Sequence, residues 1–169
     1  MGKARELYLA LSSAFKQGGK TQASTGCLLK YLGTFEKTAD AELAQARDVA
    51  AQLVTQVIGD PTVFKFEHVS GLKAVQQLKS DKAFELLSLL QRADLGAYSS
   101  WAKANGAAFA ALGLAPEQVE HKARLLALIA LCAANETLTF AAIAASLHIT
   151  EADAEIWVID GMTTRRKNA

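Results

Sequence analysis

Apolar residues recur along this chain at intervals of three and four positions, the spacing that lines one face of an α-helix. Lys3 to Gln17 carries Leu7, Leu11, Ala14 and Phe15 on one side and predicts a first helix, though no capping residue precedes it. Gly18-Gly19-Lys20-Thr21 stops it, and Thr25 to Phe35 predicts a second, with Leu28, Leu29, Leu32 and Phe35 as its stripe. The clearest pattern runs from Ala39 to Ile58, with Asp40 as the expected N-cap and Leu43, Ala46, Ala50, Leu53, Val54, Val57 and Ile58 facing a core. Gly59-Asp60-Pro61 breaks it, because Pro61 cannot continue a helix and Gly59 suits a left-handed cap. Interrupted turns follow, anchored by Val63, Phe64, Phe66, Val69, Leu72, Val75 and Leu78. Asp81 to Gln91 predicts another helix, with Phe84, Leu87 and Leu90 as its anchors. Asp94 caps one that presents Leu95, Tyr98 and Trp101. Ala107 to Leu112 predicts a short helical turn leading through Leu114 and Pro116.

The remaining third has a distinctive order of elements. Glu117 to Asn135 is apolar almost all round: Val119, Ala123, Leu126, Ala130 and Ala133 form one stripe, and Leu125, Leu128, Ile129 and Cys132 widen it, so a helix covered on several sides is expected. Thr137-Leu138-Thr139-Phe140 alternates polar and apolar residues of high β-propensity and predicts a short strand in need of a partner. Ala141 to Leu147 predicts a small helix, and Thr150 caps a third. That third helix opens with Glu151, Asp153 and Glu155 and closes with Arg165, Arg166 and Lys167, charges that suit the two ends of a helix dipole. Ile156, Trp157 and Ile159 are expected in its core face. Helix, strand, helix, turn and helix is the opening of a winged-helix module. The two-stranded wing does not follow, so the sequence is expected to be part of something longer. The fold class expected is mostly α: an α-solenoid of short helical pairs over residues 1–116, then a truncated winged helix over residues 117–169.

Composition narrows the function. With 51% hydrophobic and 21% charged residues, 169 residues suffice for a substantial core. The formal net charge of +1 supplies no field to draw in polyanions. Cys27 and Cys132 lie far apart within apolar helical patterns, where free cysteine acts as a small hydrophobe, so neither a disulfide nor a metal site is expected. No stretch approaches the roughly 18 continuous apolar residues of a membrane span.

Reaction chemistry fares no better. Gly18-Gly19-Lys20-Thr21 resembles the end of a phosphate-binding loop, but Ala14 stands where that loop needs glycine, and the segment follows a helix. His68, His121 and His148 lack ligand spacing. Asp40, Asp48, Asp60, Asp81, Asp94 and Asp153 sit at caps and turns, and Ser12, Ser13, Ser99 and Ser100 sit in no nucleophile elbow. No catalytic, cofactor-binding or metal-ligating residue is expected. Arg165-Arg166-Lys167 could touch nucleic acid, yet the carboxylates opening the same helix would repel a duplex, which favours the dipole role. Tyr98, Trp101 and Phe109 read as core anchors.

One passage carries a family likeness. Gly59-Asp60-Pro61-Thr62-Val63-Phe64-Lys65-Phe66-Glu67-His68, followed by Leu72, Val75 and Leu78, resembles the helix, Asp-Pro, Phe-x-Phe, short-helix passage of PCI-domain proteins. These are helical scaffold subunits of the proteasome lid, the signalosome and eukaryotic translation initiation factor 3. Within that group Lys122-Ala123-Arg124-Leu125-Leu126, Asn135-Glu136-Thr137-Leu138-Thr139-Phe140 and Glu155-Ile156-Trp157-Val158-Ile159-Asp160 most resemble the initiation factor branch, with signalosome subunit 7 the nearest alternative. The resemblance spans roughly Ala46 to Arg166. It implies a non-catalytic cytoplasmic scaffold without cofactors, a small-molecule substrate or a membrane. The partners it implies are other PCI subunits, with the factor's A subunit as neighbour, the MPN subunits F and H, and the 40S ribosomal subunit through the complex, with a secondary RNA contact. Leu138 and Thr139, on the unpaired strand, and Arg165 and Arg166, at the end of the last helix, are the candidate partner-binding residues. An autonomous winged-helix nucleic-acid binder is the alternative of a different class.

Overall fold

A computed structural model describes residues 2–38 and 40–167, leaving out the side chains of residues 40, 41 and 164–167. Every regular element among the described residues is helical, in agreement with the mostly-α expectation. In order these are α1 (Gly2–Gln17), α2 (Thr21–Gly33), α3 (Asp40–Leu43), a 3-10 turn (Ala44–Ala46), α4 (Arg47–Gly59), α5 (Glu67–Ser70), α6 (Lys73–Gln76), α7 (Lys82–Arg92), α8 (Leu95–Ala104), α9 (Gly106–Leu112), α10 (Pro116–Ala134), α11 (Phe140–Leu147) and α12 (Glu151–Lys167). They form two compact units: residues 1–60 with 65–87, and residues 61–64 with 88–169.

In the first unit α1 lies on α2, α2 on α4 and α4 on α6. The core is the one the apolar periodicity indicates, with Leu28, Leu32, Phe35, Leu53, Val54, Val57 and Ile58 all buried. The contact of α1 with α2 departs from that periodicity. Its buried centre is polar, a hydrogen bond of 2.9 Å between the hydroxyls of Ser12 and Ser24, while Leu7, 56% exposed, and Leu11 face outward. Arg5 fixes the start of α1 by donating to the Thr34 hydroxyl at 2.9 Å and lying over the Phe35 ring at 3.7 Å. The glycine pair after α1 is the expected helix stop: Gly19 takes φ 69°, and the Lys20 amide donates back to the Phe15 carbonyl.

The single helix expected over residues 39–58 is instead α3, the 3-10 turn and α4, tightened where Ala46 is wholly buried. Asp40 opens α3, and its side chain lies outside the described residues. Nor does Gly59 form a left-handed cap. It is the last residue of α4, and Asp60 leaves the helix extended at φ −78° and ψ 114°, the conformation that the ring of a following proline imposes.

In the second unit α10 packs against α8, α11 and α12. Asp94 caps α8 by accepting from the Ala97 amide at 2.9 Å. Gly113 ends α9 in the left-handed region, with Leu114 donating to the Phe109 carbonyl, and Pro116 begins α10 where a missing N–H costs nothing. Burial of α10 is not all round. Val119, Ala123, Leu125, Leu126 and Leu128 are buried, but Ala130, Cys132, Ala133 and Ala134 are exposed. Lys122 is buried too, with its ammonium 5.8 Å from the centroid of the Phe64 ring. The expected strand over 137–140 is absent among the described residues. Asn135 and Thr139 are extended, Glu136 bends, no strand pairing forms, and Phe140 already belongs to α11.

Candidate interaction surface

The last three helices present the candidate residues, and α12 decides what they offer. It meets α10 through a line of small and aromatic positions. Ala154 and Gly161 are buried, and Trp157 between them is part-buried. The Trp157 ring lies 4.7 Å from that of His121 on α10, and the Arg124 guanidinium approaches it at 5.8 Å. His121 Nε2 and Asp160 Oδ2 are 3.0 Å apart, and Arg124 pairs with Glu120 one helical turn earlier at 2.7 Å. A Cβ on Gly161 would stand 3.2 Å from a methyl of Leu128. The two helices therefore approach closely because position 161 has no side chain.

This docking turns the other face of α12 outward. Ile156, Ile159 and Met162 are 65%, 58% and 66% exposed, so the expectation that Ile156 and Ile159 are core is corrected. The helix carries apolar residues on two faces. The aromatic, His121–Asp160 and glycine contacts with α10 select the Ala154–Trp157–Gly161 face for burial. Among the described residues the outer stripe, three apolar side chains at i, i+3 and i+6, is the densest exposed apolar run on any helix. Phe140, at the start of α11, is also half-exposed.

The four candidate partner-binding residues fall in different settings. Leu138 is half-buried in the link between α10 and α11. The hydroxyl of Thr139, exposed, accepts from the Ala142 amide at 3.2 Å and so caps α11. Arg165 and Arg166 lie in the last turns of α12, and their side chains fall outside the described residues. The apolar face of α12 was not among the expected contacts. A run with apolar residues on two sides was its only signal in the sequence. At the other end of α12, the Thr150 hydroxyl receives the Asp153 amide at 3.3 Å, as expected of a cap, and donates to the Asp153 carboxylate at 2.6 Å. Among the described residues no group of three His, Cys, Asp or Glu side chains is gathered as metal ligands, and no helix is long and apolar enough to cross a membrane. The arrangement is one of exposed apolar and charged side chains on three helices that pack together.

No family model matches the chain. Curated relatives do match along most of it. Eukaryotic translation initiation factor 3 subunit M of Aspergillus oryzae is 34% identical over 165 residues, covering 94% of this chain and 35% of the relative. The subunit M of Aspergillus terreus is 33% identical over 165 residues, with 94% and 36% covered, and that of Homo sapiens 28% identical over 163 residues, with 96% and 43% covered. The resemblance carried by residues 122–126, 135–140 and 155–160, which within the initiation factor branch is nearest to subunit M, thus extends over nearly the whole chain. The chain spans less than half the length of these relatives.

Proposed function

We propose that this chain forms part of a non-catalytic scaffold subunit of eukaryotic translation initiation factor 3, with residues 1–116 as the helical-repeat lobe of a PCI domain and residues 117–169 as its winged-helix lobe. The observation that carries the reading is the 34% identity to a protein named as subunit M, sustained over 94% of the chain. The stacking of α1 on α2 and α2 on α4 supports the solenoid part of this reading, and the mutual packing of α10, α11 and α12 supports the winged-helix part. Assembly takes place in the cytoplasm through PCI–PCI contacts with sister proteins, the factor's A subunit as the neighbour, and with the MPN subunits F and H. Through the complex the protein supports mRNA recruitment to the 40S ribosomal subunit.

In this reading Leu138 and Thr139, in the link before α11, are contact points for a partner subunit, and Arg165 and Arg166, at the end of α12, are the place for a secondary RNA contact. The outer stripe of α12 adds the apolar area that a lasting contact between subunits requires. Affinity capture of the full-length protein carrying this chain, followed by mass spectrometry, tests the reading. Initiation factor 3 subunits are expected in the eluate. Signalosome subunits in their place would overturn it.

A further inference from the structure

The accessible apolar surface of the second unit lies on α12 rather than in its pocket. That pocket, about 380 Å³ among α8, α9, α10 and α11, has Tyr98, Phe109 and Leu147 beneath it, each at most 4% exposed, so it offers a ligand little to touch. Ile156, Ile159 and Met162 stand in the open on α12. Three such side chains in a row leave apolar area in water that a second surface can cover.

The layout of α12 says which surface. Ile159 is its midpoint, with eight residues on either side. Ile156 stands three residues before it and Met162 three after, so the apolar stripe reads nearly the same in both directions along the helix. Ala152 and Thr163 flank the stripe, both exposed and small, and the Thr163 hydroxyl is spent inside the helix by donating to the Ile159 carbonyl at 2.9 Å. A second helix can therefore come near. Charge, by contrast, is opposite at the two ends: Glu151, Asp153 and Glu155 open the helix, and Arg165, Arg166 and Lys167 close it. Glu155, four residues before Ile159, and Arg166, seven after it, fall by helical periodicity on the same face as the stripe.

A symmetric apolar centre between ends of opposite charge is complementary to itself turned end for end. Two copies of α12 laid antiparallel about Ile159 set each Ile156 across from a Met162 and each Glu151–Glu155 end alongside an Arg165–Lys167 end. A parallel pair would bring like charges together. We propose that the chain binds a second copy of itself through this face, in a two-fold antiparallel contact of α12 on α12. The apolar centre supplies the affinity, and the charged ends fix the direction. The contact does not rest on the initiation factor reading. It occupies the face which that reading offers to a sister subunit, so the pair is the state of the unassembled chain.

Sedimentation velocity over a concentration series tests it. A contact centred on three side chains a copy, against the roughly 20–30 residues a side of a stable interface, is weak, and the 169-residue chain is expected to be half dimeric at about 10–100 μM. Ile159→Glu sets two carboxylates against each other at the axis and loosens the dimer about tenfold or more. Glu151→Lys with Glu155→Lys, and separately Arg165→Glu with Arg166→Glu, each loosen it about three- to tenfold in low salt, the scale of a few exposed ion pairs. Mixing those two double variants restores a mixed dimer. A chain that stays monomeric above that concentration range, a dimer that ignores Ile159→Glu, or one that ignores both charge reversals would each overturn the proposal. So would a full-length protein, purified free of other subunits, that is monomeric while the 169-residue chain dimerises, since another segment would then hold the face. Should Ile159→Glu fail to fold, the charge reversals at the helix ends still decide. A monomeric chain whose full-length parent captures initiation factor subunits would sink the self-pairing and leave the assembly reading standing.

Discussion

Gly161 sets how closely α12 approaches α10, and its role is purely one of absence. With the Leu128 methyl 3.2 Å from where a Cβ would stand, an alanine asks Leu128 for a shift of a few tenths of an ångström. That cost is offset by the roughly 1 kcal/mol that alanine gains over glycine inside a helix. A branched side chain has no such room. Gly161→Ile is expected to lose about 1–3 kcal/mol in urea unfolding through overpacking, while Gly161→Ala stays near the parent. Equal stability of the two variants would show that the helices are not in contact at this point. Tyr98 gives a prediction in pH. Its folded pKa is raised to about 12 from an unfolded value of 10, first by burial. The stability it contributes is therefore complete below pH 10 and is lost as pH rises towards 12, because only the unfolded chain releases the proton in that window. Allowing for solvent screening at the pocket, the loss is about 1–2 kcal/mol, and Tyr98→Phe is expected to flatten that part of the alkaline unfolding profile. Single residues of this kind were unevenly legible. Asp94 and Thr150 announced themselves as caps because their hydrogen bonds reach only three residues along the chain. Gly161 and Ser12 did not, because what each meets lies on another helix.

At the scale of elements, local rules competed and the nearest partner won. Thr137-Leu138-Thr139 has the composition of a strand, yet Thr139 spends its hydroxyl on the Ala142 amide and starts α11. A β-branched residue with a hydroxyl satisfies either pattern. Where no second strand is at hand, the cap is the bond that closes locally. The same logic explains α12. Periodicity could tell that it is helical but not which of two apolar faces is inward, since Trp157, Asp160 and Gly161 define the buried face only through His121, Arg124 and Leu128 of α10. The outward stripe is then mostly clear of contacts within the unit. Replacing Ile156, Ile159 and Met162 by glutamine is expected to change unfolding free energy by no more than about 0.5 kcal/mol per site, the usual range for surface positions. If the stripe is a contact between subunits, the same triple variant in the full-length protein loses its partners in affinity capture. Loss of stability without loss of partners would make the stripe structural instead.

At the scale of the molecule, the helical class was legible because it rests on a local period repeated along the chain, whereas the division into two units was not. Residues 61–64 join the second unit while residues 65–87 stay with the first, a crossing determined by contacts between distant segments. Charge is the global property the sequence does report in full, and it bears on the remaining alternative, a winged helix that binds nucleic acid alone. The chain has 18 basic against 17 acidic residues, and the start of α12, where a recognition helix would enter a groove, exposes Glu151, Asp153 and Glu155. A duplex docked there would bring phosphates towards three carboxylates, with no compensating basic field from the rest of the molecule. Binding to duplex DNA is therefore expected to be weak and indifferent to sequence near physiological salt. Its logarithmic dependence on salt should be shallow, because each phosphate contact contributes a slope of only about −0.9 and few are made. Anisotropy titrations at several salt concentrations measure this directly. Tight and sequence-selective binding with a steep slope would mean that the basic end of α12 outweighs its acidic beginning, and would favour the nucleic-acid reading over the scaffold.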